Sequence, residues 1–170
     1  MKDTNILIRK AKLMDADAFT LLMEWHMQLM YKTARAVLYN DEDNADAIQD
    51  TILTCWEKME GLKKDGCFRT WLIKILINKC NDLLRKKQKL SFYDDVPEIE
   101  VSLSYEYENV EWNEALMSLD EKYRLVILLY YVEGFKTKEI SRMLDIPEAT
   151  VRTRLSRARN MVADIYDLTL

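Results

Sequence analysis

A chain of 170 residues can carry one domain of ordinary size or two small ones. Hydrophobic residues make up 49% and charged residues 32%, with 3 Gly and 2 Pro, which excludes a disordered chain and argues against many-stranded β architecture. No apolar run approaches the roughly 18 residues of a membrane span, and the opening MKDTNILI lacks the apolar stretch and cleavage site of a signal peptide. A cytoplasmic protein with no membrane contact of its own is therefore expected.

Three cysteines, Cys55, Cys67 and Cys80, stand at wide spacing with one histidine, His26, in the chain. Neither a disulfide framework nor a zinc site fits such spacing, and each cysteine lies among Ile, Leu, Trp or Phe, as a small buried hydrophobe would. No metal, no cofactor and no catalytic residue is expected.

The net charge of -4 is less informative than its distribution, because charge acts over a Debye length of about 8 Å. Residues 41–60 carry seven acids and one base; residues 61–90 carry nine bases and two acids. Residues 91–121 then hold ten acids and no base, and residues 134–160 hold seven bases and three acids. Two basic segments flank an acidic one.

In chain order, Phe19, Leu22, Met23, Leu29, Met30, Ala34 and Val37 repeat at helical spacing and predict a core-facing helix over 18–37, with His26 on the same stripe as a structural residue. The run from Asn40 to Asn44 reads as a turn. A second helix follows, with Ala45, Ile48, Ile52, Cys55, Trp56 and Met59 on one face and Asp46, Gln49, Asp50 and Glu57 on the other. A loop from Gly61 to Gly66 ends it. Phe68, Trp71, Leu72, Ile75, Leu76, Leu83 and Leu84 mark a third helix to about Lys87, whose outer side offers Lys74, Asn78, Lys79, Asp82 and Arg85.

Periodicity fades between Gln88 and about Glu111, where acids, serines and tyrosines predict a flexible acidic linker. Helical patterning returns at Trp112, Ala115 and Leu116; Ser118 or Asp120 can cap a helix carrying Val126, Ile127, Leu129 and Tyr130. The segment from Gly134 to Leu155 is the most specific in the chain. Thr137 is expected to cap a short helix through Leu144, Asp145-Ile-Pro to turn, and Glu148 to open a second helix to about Val162. Ile140, Leu144, Ile146, Val151 and Leu155 would hold these two helices together, leaving Arg152, Thr153, Ser156, Arg157 and Arg159 outside. A helix that enters the major groove needs short polar and guanidinium side chains toward its N-terminal half, so this pattern predicts a DNA-reading helix-turn-helix. Arg154 and Arg159 lie at other angles, suited to phosphate or to packing.

Three blocks give the chain a resemblance to a known family: DAIQD at 46–50, FRTWLIKILINKCNDLLR at 68–85, and the stretch from Leu119 to Arg159. In that order they resemble alternative sigma factors of bacterial RNA polymerase, of the extracytoplasmic-function class. The resemblance implies an all-α protein of two small helical domains: residues 1–90 as sigma region two, 91–111 as the linker, and 112–170 as sigma region four. It implies core RNA polymerase, duplex promoter DNA, its unwound non-template strand and an anti-sigma factor as partners. Asp46, Gln49 and Asp50 would then dock on the polymerase clamp helices. Lys63, Lys64, Asn78, Lys79, Asp82 and Arg85 would meet the minus-ten element, and Glu148, Thr150, Arg152, Thr153, Ser156 and Arg157 the minus-thirty-five element. Asp82 is ill suited to DNA and is expected to cap or to pair with Arg85.

Other classes remain open. A response-regulator-type activator shares the C-terminal motif but needs alternating strands and helices upstream, and a pure interaction module would lack DNA affinity. No Gly-rich phosphate loop, nucleophile elbow or HExxH supports an enzyme.

Overall fold

The computed structural model describes residues 2–91 and 115–169, with side chains over 3–89 and 115–164. The expected linker over 91–111, Ser91 apart, and Trp112 lie outside the described residues. Two compact units divide at Val96 and Pro97, and no strand occurs among the described residues.

The N-terminal unit contains α1 (Lys2–Lys12), α2 (Ala16–Val37), α3 (Asp41–Lys58), two 3-10 turns (Met59–Gly61 and Asp65–Cys67) and α4 (Phe68–Ser91). Asp15 starts α2 by accepting from the Ala18 N–H at 3.0 Å, a cap that contributes about 1 kcal/mol. Asn40 does the same for α3 through the Asp43 N–H at 2.7 Å. The predicted turn at 40–44 is thus a cap and a first helical turn, in which Asp41, Glu42 and Asp43 face the positive end of the helix dipole. Ion pairs tie two of these acids down: Arg35, buried at the end of α2, holds Asp41 at 2.8 Å, and Lys87 of α4 holds Asp43.

The core of this unit comes from every helix: Ile8 and Ala11 of α1, Leu22 and Met30 of α2, Ala47 and Cys55 of α3, and Phe68, Leu72, Ile73 and Leu76 of α4. His26 is buried with them, its Nδ1–H donating to the Leu22 carbonyl at 2.7 Å and its ring edge-on to Phe68. Two threonines also enter the core. Thr33 and Thr51 spend their hydroxyls on the carbonyls of Leu29 and Ala47, at 2.8 and 2.7 Å, so burial leaves neither hydroxyl unpaired. The inner face of α3 therefore differs from the predicted one: Asn44, Ala47 and Thr51 are buried, whereas Ala45 is exposed and Ile52 and Trp56 are half-buried. Cys55 and Cys80 are buried, but Cys67 is exposed because it ends a 3-10 turn ahead of α4. Burial pushes the Cys55 thiol up to about 12, so it is inert packing.

In the C-terminal unit a helical stretch at 115–118 leads to α5 (Glu121–Ile127), which runs into a π-helical turn (Leu128–Val132). Then come α6 (Thr137–Leu144) and α7 (Glu148–Thr169), the latter longer than predicted. Asp120 holds the cap position of α5 with its backbone oxygen alone, accepting from the N–H groups of Tyr123 and Arg124. Ser118 instead donates to the Ala115 carbonyl at 2.8 Å and closes the preceding turn. The π turn ends where the Phe135 N–H reaches the Leu129 carbonyl at 2.9 Å, across Gly134, whose φ of +71° suits a residue without Cβ. Its widened register buries Leu128 and Leu129 and turns Tyr130 and Tyr131 outward.

Leu116, Leu119, Tyr123, Ile127, Ala158 and Val162 form one apolar cluster, and Ile140, Met143, Val151 and Leu155 join α6 to α7. Met143 takes the buried place predicted for Leu144, which is half-buried like Ile146. Between the helices Asp145 adopts a left-handed conformation, φ 51°, and Ser141 Oγ donates to the Ile146 carbonyl at 2.6 Å. Lys136, not Thr137, is the cap residue of α6; its N–H donates to Glu139 Oε2 at 2.8 Å.

Candidate nucleic-acid interfaces

On α7, Val151, Leu155, Ala158 and Val162 point inward at helical spacing, so residues between them must point outward. Arg152, Thr153, Ser156, Arg157 and Arg159 are exposed; Glu148 and Thr150 are half-buried. Guanidinium groups and small hydroxyls on one free helix face supply donors for guanine and for phosphate. Arg154 is half-buried near Glu121. There burial raises the Glu121 pKa while the charges of Arg124 and then Arg154 pull it back. Thr153 Oγ1 donates back to the Ala149 carbonyl at 3.0 Å, leaving its oxygen as an acceptor.

Glu148 is more constrained than the sequence indicated. Its Oε1 accepts from Thr137 Oγ1 at 2.7 Å and from Arg152 Nη2 at 2.8 Å. These two bonds, Thr137 first, hold its carboxyl below the usual carboxylate range.

In the N-terminal unit Asp46, Gln49 and Asp50 are exposed on α3. Beside Gln49 lies a largely apolar groove of about 540 Å³ between α2 and α3, lined by Met27, Tyr31, Ala45, Ile48, Ile52 and Leu53. Of these, Ile48 is buried as the sequence pattern predicts and Ile52 is half-buried, whereas Leu53, outside the predicted apolar face of α3, is 57% exposed. Asp50 also borders a second groove, of about 280 Å³, with Lys79, Asp82, Leu83, Arg85, Lys86 and Lys89 of α4. Two residue sets assigned to different partners thus share an edge. Asp82 lies 3.4 Å from Arg85 in an i,i+3 ion pair, which neutralises the acid among these cations.

Lys63, Lys64 and Asn78 are exposed and Lys79 is half-buried. The loop that carries the two lysines is anchored one residue later, where Arg9 and Lys12 of α1 each approach an Asp65 oxygen at 3.2 Å. Arg9 first and Lys12 second hold the Asp65 carboxyl below its usual range. Close by, Trp71 joins Glu57, Lys58, Glu60 and Gly61 around an open groove of about 660 Å³. Trp71, one of the apolar residues that mark α4 in the sequence, is half-buried, so part of its ring offers a surface on which an unstacked base can lie. Among the described residues no group of three or more His, Cys, Asp or Glu could hold a metal ion, and no helix is long and apolar enough to cross a membrane.

Known proteins share this arrangement. Sigma-70 region 2 matches residues 22–90 and sigma-70 region 4 matches residues 110–162. The RNA polymerase sigma factor SigV of Bacillus subtilis is 30% identical over 139 residues, 81% of this chain and 84% of that protein. The ECF RNA polymerase sigma factor SigW of the same organism is 28% identical, covering 89% of this chain and 90% of its own length. Among solved structures, CnrH in complex with the cytosolic domain of CnrY superposes with a TM-score of 0.71 at 26% identity, over 98% of both chains. The sigma factor RpoE of Bartonella quintana, in complex with the anti-sigma factor NepR, shares the fold with a TM-score of 0.77 at 22% identity, over 88% of this chain and 96% of its own. With both regions in order and relatives matched over most of their length, the chain belongs to the sigma-70 family of RNA polymerase sigma factors, in its extracytoplasmic-function class.

Proposed function

We propose that this transcription initiation factor docks on core RNA polymerase through Asp46, Gln49 and Asp50 with the neighbouring apolar groove, and reads promoters through two separate surfaces. Residues 1–90 form the polymerase-binding and promoter-opening part, and residues 112–170 the part that reads the upstream element. The observation that carries the reading is the division of α7, whose inner face is closed by Val151, Leu155 and Ala158 while Arg152, Thr153, Ser156 and Arg157 lie exposed on the opposite face, where base edges can be reached. Lys63, Lys64, Asn78, Lys79 and Arg85 border the loop and helix face suited to unwound strand, with Trp71 as a stacking surface. Asp82 balances charge there rather than touching DNA.

The reading includes an inhibitory partner in the cytoplasm. CnrH, at 26% identity, was solved with the cytosolic domain of CnrY, and an exposed Leu53 beside an apolar groove suits a protein partner that covers it. Run-off transcription with core polymerase on genomic fragments tests the whole proposal. Discrete transcripts that depend on this chain are expected; their absence with every fragment would overturn it.

A further inference from the structure

Glu148 stands at the first position of α7, between the shorter helix of the motif and the reading face. Its Oε1 receives both the Thr137 hydroxyl, from eleven residues away, and Arg152 Nη2, from one turn along the same helix. Both bonds end on one oxygen, so Oε2 keeps its lone pairs for an outside donor. A carboxyl is already charged at neutral pH, and these two bonds lower the Glu148 pKa further. A lone i,i+4 ion pair on an exposed helix is weak and lets both side chains swing. Here the carboxylate is tied at a second point, by a side chain from another helix, and a guanidinium paired with it has fewer orientations open to it than in a lone ion pair.

Orientation matters for base reading in a way that it does not for phosphate. Two parallel bonds to guanine O6 and N7 form only when the guanidinium lies near the plane of the base pair, whereas a phosphate accepts from many angles. We propose that Thr137 is a specificity-determining positioning residue: by fixing Glu148 it sets the angle of Arg152 and with it the preference of α7 at one base pair. The proposal rests on α7 being the promoter-reading helix. Arg152 presents donors suited to guanine and Glu148 Oε2 an acceptor suited to the cytosine amine, so the base pair concerned is a G·C pair.

The test uses the full chain with core polymerase and a duplex library randomised over the upstream element, read by sequencing the bound fraction. Arg152→Ala should erase preference at one G·C position. Thr137→Val, which keeps the shape but removes the hydroxyl, should weaken preference at that same position about threefold to tenfold, the order expected for one hydrogen bond, and leave other positions unchanged. Thr137→Ser should restore it, and equal urea midpoints for the Val and Ser variants would exclude a difference in folding. If Arg152→Ala erases the preference but Thr137→Val lowers binding to all sequences alike, acts at another position or does nothing, the positioning role is overturned while the reading of α7 stands. The positioning role also fails if Thr137→Ser behaves as Thr137→Val. If Arg152→Ala leaves every preference intact, the reading of α7 fails and the proposal with it.

Discussion

The two units present their outward groups in unlike ways. In the C-terminal unit one helix, α7, supplies both the inner face that completes the core and the outer face offered to DNA. In the N-terminal unit the outward groups come from α3, the loop around Asp65 and α4, and the grooves run between these elements. A surface carried by one helix can be altered residue by residue with separable effects, whereas one shared between elements couples its neighbours.

The sharpest way to break this contrast is at Asp50. Asp50→Arg should weaken binding to core polymerase by about 2–5 kcal/mol, as expected for reversing a charge at a desolvated pair. Because Asp50 borders Lys79, Arg85 and Lys86, the same change adds a cation to an already basic groove and should also disturb promoter opening. Titration against core polymerase, with circular dichroism to confirm the fold, gives the first effect; unchanged affinity would remove α3 from the interface. Asn78→Ala isolates the second. It should impair opening, seen as lost permanganate reactivity of promoter thymines, while polymerase affinity stays as in wild type.

The C-terminal unit should fail in smaller, cleaner steps. Arg152→Ala or Arg157→Ala should each cost about 1–3 kcal/mol on the preferred site and relax choice at a single base pair. Arg159→Ala should weaken all sequences alike and flatten the salt dependence by about one unit of log slope. Binding to single-pair variants at two salt concentrations checks both. Uniform loss from all three variants would erase the distinction between reading and anchoring residues on α7.

The smallest expected effect separates the units by pH. Burial first, and the Arg69 charge last, lower the His26 pKa below its ordinary 6.5, against the bond to Leu22 that raises it. The unfolded chain therefore binds this proton more readily, so stability is full above pH 6.5 and falls as pH drops toward the folded value. His26 is the sole histidine of the chain, so the C-terminal unit has no equivalent. Urea denaturation at neutral and mildly acidic pH should show the loss in wild type and a reduced loss in His26→Phe. An identical pH response in that variant would assign the effect to the carboxylates.

Much of this fold was legible because α2, α4 and α7 keep a clear apolar stripe of helical period. The first helix was not. Only Ile8 and Ala11 of α1 are buried hydrophobics, too few for a stripe, and its ion partner Asp65 is more than fifty residues away. The inner face of α3 is hidden from sequence because Asn44 and Thr51 look like surface residues, and Thr51 enters the core only by satisfying its hydroxyl within its own helix. Thr137 shows the same limit at the candidate site. Its position before an apolar run suggests a cap, yet the hydroxyl goes to Glu148, a contact that depends on how the turn at Asp145 aims the next helix. Local pattern gives the elements; a bond across a turn depends on their relative angle.

The π turn at Leu128–Val132 bears on how this chain tolerates changes in length. A π turn accommodates one residue more than a regular helix needs, so it acts as an insertion absorbed within a helix. Deleting a single residue there should let the segment relax to regular α-helix, with Leu125, Val126 and Leu129 still able to face the interior. The same deletion inside α7 ahead of Arg157 would have no such slack. Each residue turns an α-helix by about 100°, so Arg157 and Arg159 would rotate off the outer face, and a loss harmless at one site would reassign every contact at the other.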